Sequence, residues 1–176
     1  MQTIKDQLQK TIDTMEGPWI VRKNSYEKEF CKHLNWLCKE GRYADAMSGD
    51  TLIELKKGQS CMWFDMVRYA EIFKGIGPQN TVTLFIRYDK RYIHVRDIYV
   101  IDTKKILEFM KMDDHIASFC IKTKAHLPRG LNMQACATHR DMRNMASYIV
   151  TSRKERERGM MLAEDKRIKR KRCRCA

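Results

Sequence analysis

The chain has 176 residues, 43% of them apolar and only three prolines, which suits one globular domain and excludes a disordered chain. Lys and Arg outnumber Asp and Glu by 35 to 22, a net charge of +13; this points to a polyanion, most simply nucleic acid, unless the charge serves solubility alone. The polar start MQTIKDQLQK, the lack of any run of about 18 apolar residues and seven unpatterned cysteines read as an intracellular protein with reduced thiols, with no signal peptide and no membrane partner.

In chain order, Ile4, Leu8, Ile12 and Met15 recur at helical spacing and predict a short amphipathic helix over 2–15, stopped by Gly17-Pro18. A second helix is predicted over about 24–40. Asn24 with Glu27 resembles a capping box, Phe30, Leu34, Leu37 and Cys38 form the apolar stripe, and Gly41 closes it. Glu27 falls on the inward side of that stripe and Glu29 nearer solvent. Residues 44–56 then read as a β-hairpin about Gly49-Asp50, where Gly takes the positive φ of a type II′ corner. Counting outward pairs Ser48 with Thr51, Met47 with Leu52, Ala46 with Ile53 and Asp45 with Glu54.

Past a turn at 58–60, Met62, Trp63, Met66, Val67, Ala70 and Phe73 trace a helix that stops at 75–78. Residues 81–88 alternate as a strand, and 92–101 form a second one. In the latter the apolar positions shift from odd (Ile93, Val95) to even (Ile98, Val100), which predicts a bulge near Arg96-Asp97. Asp102-Thr103 opens a helix to about Met112, 116–122 reads as a further strand, and 127–137 as loop. Met142, Met145, Ala146 and Ile149 start a last helix that runs into the charged end. The expectation is a single domain over 1–165, with its core at about 24–101, and a basic C-terminal helix or tail over 166–176. Residues 153–176 carry a net charge of +7 and leave +6 for the body. The tail is either a grip on phosphates or a nuclear-localisation patch.

The chemistry concentrates on the hairpin. Side chains alternate along a strand, so Glu54 and Lys56 share one face while Ile53 and Leu55 point into a core. Asp45 opposed to Glu54 places two carboxylates about 5 Å apart, a repulsion that needs a compensating cation, and a divalent metal supplies one. Asp45, eight further residues and then Glu54-Leu55-Lys56, with an acid on the preceding helix (Glu27) and a helix and strand following, resemble the PD-(D/E)XK nuclease superfamily over about 24–88. The resemblance implies a restriction-endonuclease-like α/β fold, an αβββαβ core whose mixed central sheet is flanked by helices. It also implies Mg²⁺-dependent DNA cleavage, with Mn²⁺ as a substitute. Asp45, Glu54 and the Leu55 carbonyl would hold the metal, Lys56 would position or deprotonate the attacking water, and Glu27 would act as an outer-sphere or second-metal acid.

Ala44 stands where the superfamily often has proline. The predicted helix leaves only 41–44 before Asp45, so the first strand of that core is expected to be short or missing. Asp50 lies about 13 Å along the strand from Glu54, too far to share one ion, and is a turn residue.

Elsewhere Arg129, Asn132, Gln134, Arg140 and Arg143 cluster in or near the predicted loop and could read base edges, and Lys169, Arg170, Lys171 and Arg172 could grip phosphates. Cys136 and His139 with Cys173 and Cys175 could supply zinc ligands, at a spacing that fits no standard finger. Asp65 and Tyr69 read as a helix face with a core tyrosine. The function expected is a restriction-type DNA endonuclease; alternatives are a junction-resolving or repair nuclease and a non-catalytic nucleic-acid-binding module. Symmetric double-strand cutting would call for a homodimer.

Overall fold

The structure is a computed structural model and describes residues 4–17, 26–38, 44–58, 61–62, 81–89, 91, 93–110 and 136–174. Six strands form one mixed sheet in the order β1 (Leu37–Cys38), β2 (Ala46–Ser48), β3 (Thr51–Lys57), β5 (Thr81–Asp89), β6 (His94–Asp102) and β8 (Tyr148–Thr151). β3 and β5 run parallel, and the other neighbours antiparallel. β4 (Cys61–Met62) and β7 (Cys136–Ala137) form a separate antiparallel pair. The helices are α1 (Ile4–Thr11), α2 (Tyr26–Leu34), α3 (Thr103–Met110), α4 (His139–Met145) and α5 (Arg153–Arg174). The chain is therefore α/β, with a mixed sheet flanked by helices.

Strand alternation sorts the side chains onto two faces. Ile53 and Leu55 of β3, Val82, Leu84 and Ile86 of β5, Val95, Ile98 and Val100 of β6 and Val150 of β8 are buried on one face. They form a single cluster with Leu8, Ile12 and Met15 and with Phe30, Cys31 and Leu34 of α2. Each such side chain stabilises the fold by about 1.5–3 kcal/mol. The opposite face carries Phe85, Tyr99 and Ile101, also buried, and there α3 and α4 contact β6.

α2 ends at Leu34, six residues before the predicted stop, because Asn35 turns left-handed at φ 55°. Asn35 N–H bonds Lys32 O at 3.2 Å and Trp36 N–H bonds Cys31 O at 2.8 Å, the paired bonds of a Schellman closure. Leu37 and Cys38, expected in the helix stripe, instead form β1 against Met47 and Ala46. A first strand is thus present, though only two residues long. The shift in parity along β6 does mark a bulge: Arg87 pairs with Asp97 and Tyr88 with Val95, so Arg96 is the extra residue.

The predicted last helix is corrected. α4, capped by a reciprocal Thr138–Asp141 box, stops at Met145, and Tyr148–Thr151 joins the sheet as β8 with Ile149 beside Tyr99. Aromatic and β-branched residues fit a pleated surface, and here that preference outweighs an accidental helical spacing. Met62 and Ala137, read as helix and loop, lie in strands. The remainder of the predicted 62–73 helix and the 116–122 strand fall outside the described residues. α5 runs unbroken across residue 165, where the basic tail was expected to begin.

Candidate active site

The site forms where β2 leaves β3. The hairpin ladder follows the counted register from Ser48–Thr51 to Ala46–Ile53, and Gly49 takes φ 56° while Asp50 stays on the negative side, as a type II′ corner requires. Before Ala46 the chain bends: Asp45 N–H bonds Ile53 O at 3.1 Å. Leu55, two residues further along β3, lies beyond the ladder, so both of its backbone groups on that side need other partners. Its N–H donates to Asp45 Oδ2 at 2.7 Å, and its carbonyl accepts from the Tyr26 hydroxyl at 2.8 Å. A carboxylate and a phenol thus replace a missing strand.

Beside this gap Glu54 is only 2% exposed, and the Lys56 ammonium stands 2.6 Å from its Oε1. Lys57 lies on the other face, with Nζ 4.2 Å from the Tyr26 ring centroid. Burial raises the Asp45 pKa and the Glu27 charge adds to this, while the Leu55 N–H, Lys56 and a hydrogen bond with Glu54 pull it back. Tyr26 is pushed far up, first by burial and then by Glu27, Asp45 and Glu54. Burial lowers Lys57, and Glu27 opposes that. Glu27 is half-buried at the start of α2 and Glu29 is exposed, the orientation the helical spacing predicts. Three acids therefore share one partly desolvated neighbourhood.

The donors are hard oxygens: two carboxylates and the second lone pair of a carbonyl, a set whose chemistry fits Mg²⁺ or Mn²⁺ completed by water. Among the described residues no three His, Cys, Asp or Glu side chains group as metal ligands; the Glu27 charge acts on Asp45, Tyr26 and Lys57.

Two measurements follow from this geometry. Tyr26→Phe leaves the buried Leu55 carbonyl short of its donor and is expected to cost about 1–3 kcal/mol of stability; an unchanged denaturation midpoint would remove Tyr26 from the site. Asp45→Asn keeps an acceptor for the Leu55 N–H but cannot ionise. Because the folded pKa of Asp45 is raised, its contribution is fully present below the ordinary Asp range and is lost as pH rises through the raised value. Metal-free Asp45→Asn is therefore expected to melt above the wild type at neutral pH, with the gap closing in acid. Parallel Tm profiles would contradict this.

The other predicted positions are scattered. Asp50 is exposed in the turn. Arg140 and Arg143, expected in or near a loop, lie on α4 and are exposed; Arg129, Asn132 and Gln134 fall outside the described residues, as do Asp65 and Tyr69. Lys169, Arg170, Lys171 and Arg172 belong to the backbone of α5. Of the four zinc candidates, His139 is hydrogen-bonded to Tyr99, Cys136 lies in β7 and Cys173 near the end of α5, and Cys175 is outside the described residues. Sequence reasoning missed Tyr26, which as an aromatic at a helix start reads like any core residue. It also missed Cys31, whose Sγ lies 4.0 Å from Asp45 O and whose thiol is pushed up to about 12 by burial and then by Cys38.

Compared with protein-family models, with curated proteins and with solved structures, the chain matches none. Among the described residues no helix is long and apolar enough to cross a membrane.

Proposed function

We propose that the chain is a Mg²⁺-dependent endonuclease that hydrolyses DNA phosphodiester bonds, of restriction type. The observation that carries this reading is the gap at the end of β2. There Asp45 accepts from the Leu55 amide, Tyr26 donates to the Leu55 carbonyl, and Lys56 pairs with Glu54, all along one stretch of β3. The element order is compatible with it: α2, the antiparallel β1–β2–β3 and then β5 parallel to β3 match the αβββ start and the final strand of that core, and 63–80 between them lie outside the described residues.

A bound divalent ion supplies an acidified water and neutralises charge on the attacked phosphate. The protein's share is positional. The Leu55 amide fixes the Asp45 carboxylate and Tyr26 fixes the Leu55 carbonyl. Glu54 holds Lys56 where a compact ammonium can orient the water or offset phosphorane charge. The net charge of +13 draws the polyanion in.

Junction-resolving and repair nucleases would use the same centre, and a second copy would be required for symmetric double-strand cutting. A purely binding module would keep the basic charge but has no use for a desolvated Asp45 beside a buried Glu54. Incubating the protein with supercoiled plasmid and Mg²⁺, with EDTA as control, separates these. Discrete bands are expected. A smear would mean nonspecific cleavage, and a mobility shift without cutting would favour the binding module.

α5 extends the basic surface: every described side chain over 156–167 is exposed, and seven Lys and Arg follow from Lys166 onward. Deleting 166–176 is expected to weaken binding to all sequences alike and to flatten its salt dependence, by about 0.9 in log–log slope for each phosphate no longer neutralised. An unchanged slope in a salt titration would assign the tail to localisation or solvation.

A further inference from the structure

The sheet face that carries Glu54 and Lys56 continues across β5 and β6. Lys56 is level with Phe85 and Phe85 with Tyr99, and these two rings stack with centroids 6.5 Å apart. Neighbouring strands are about 4.8 Å apart, so the Tyr99 backbone stands about 10 Å from that of Lys56. A second polar centre is built there from three elements. Arg87 of β5 is paired with Asp97 of β6, the Tyr99 hydroxyl is hydrogen-bonded to His139 Nε2 on α4, and Arg143 lies one turn further along α4 on the same side.

The charges in this centre do not balance. Arg87, Arg143 and Arg96 all act on both Tyr99 and His139, opposed by Asp97. Arg96 is neutralised separately by Glu155, at 2.8 and 2.9 Å. Burial and then Arg87 lower the His139 pKa; burial raises that of Tyr99, which Arg87 pulls back. In both groups the Arg87 contribution is that of a positive field. Arg87 Nε is buried with no hydrogen-bond partner among the described residues, so the ion pair with Asp97 does not use all the donors of that guanidinium. The centre is reachable: Arg143 is exposed, His139 half-buried and the Arg87 side chain 20% exposed.

We infer that Arg87, His139 and Arg143 form an anion site that holds a backbone phosphate of nucleic acid on the sheet face that carries Glu54 and Lys56. Guanidinium forks match phosphate oxygens, and phosphates recur about every 3.4 Å of helix axis along a strand, so a strand held at the carboxylates presents further phosphates along this face. Identifying the anion as a nucleic-acid phosphate rests on the nuclease reading; the surplus of positive charge does not. Arg143, expected from its residue type to read base edges, is assigned instead to the sequence-independent backbone.

The test is duplex DNA binding by fluorescence anisotropy in EDTA across a salt series, for wild type, Arg143→Ala, Arg143→Lys and Lys10→Ala. Lys10 is exposed at the end of α1 and serves as the control. Arg143→Ala is expected to lower the log–log salt slope by about 0.9, and Arg143→Lys to keep the slope while binding more weakly. Lys10→Ala should change neither. An unchanged slope for Arg143→Ala, an equal drop for Lys10→Ala, or no binding by the wild type would overturn the site. Binding with the expected slopes but no Mg²⁺-dependent cleavage would leave this site standing and remove the nuclease reading.

Discussion

Asp45→Ala and Glu54→Ala are each expected to slow DNA cleavage roughly 10³-fold or more, with duplex binding in EDTA retained or strengthened. Both carboxylates are hard-oxygen donors at one gap, and the stabilisation a divalent ion gives to developing charge disappears with either. Binding improves because each substitution also removes a negative charge from the path of a polyanion. Asp45→Ala has a second consequence, since it strips the Leu55 N–H of its acceptor, at about 1–3 kcal/mol. Asp45→Asn keeps that acceptor and is the cleaner arm. Full activity in Asp45→Asn or Glu54→Ala would take the hairpin out of the active site.

Lys56→Ala is expected to cut the single-turnover rate by roughly 10²–10⁴-fold, the range of general acid–base help, while duplex affinity falls by no more than the worth of one phosphate interaction. Lys56→Arg should not restore the rate, because a planar guanidinium stays charged and does not reproduce a compact ammonium 2.6 Å from Glu54. Lys57 makes the comparison sharp. It points to the other face and sits over the Tyr26 ring, so Lys57→Ala should act through stability rather than through the chemical step. Equal reductions of rate in the two alanine variants would mean that both lysines serve only as cations.

Local chemistry made the hairpin legible in the sequence. Gly49 sets the corner, alternation sets the register, and both act over a few residues; the parity shift that places Arg96 in a bulge is equally local. β1 and β8 were hidden because a short strand exists only through its partner. Leu37-Cys38 satisfies a helical stripe until Asn35 turns left-handed, and Tyr148–Thr151 is a strand because β6 offers an edge. The contacts that finish the site were out of reach for the same reason. Tyr26 meets Leu55 across 29 positions and His139 meets Tyr99 across 40, distances over which composition and periodicity are silent. The inward side of Glu27 was legible because helical spacing alone sets it, and Glu27 is half-buried where Glu29 is exposed.

The central claim is that the gap between Asp45, Glu54 and the Leu55 carbonyl takes a divalent cation. Calorimetric titration of Mn²⁺ into metal-free protein, alone and with bound duplex DNA, tests it directly. Wild type is expected to take up Mn²⁺ in at least the DNA-bound form, and a variant carrying both Asp45→Asn and Glu54→Gln to show no uptake at that affinity. The same affinity in wild type and variant, or no uptake by the wild type in either form, would contradict it.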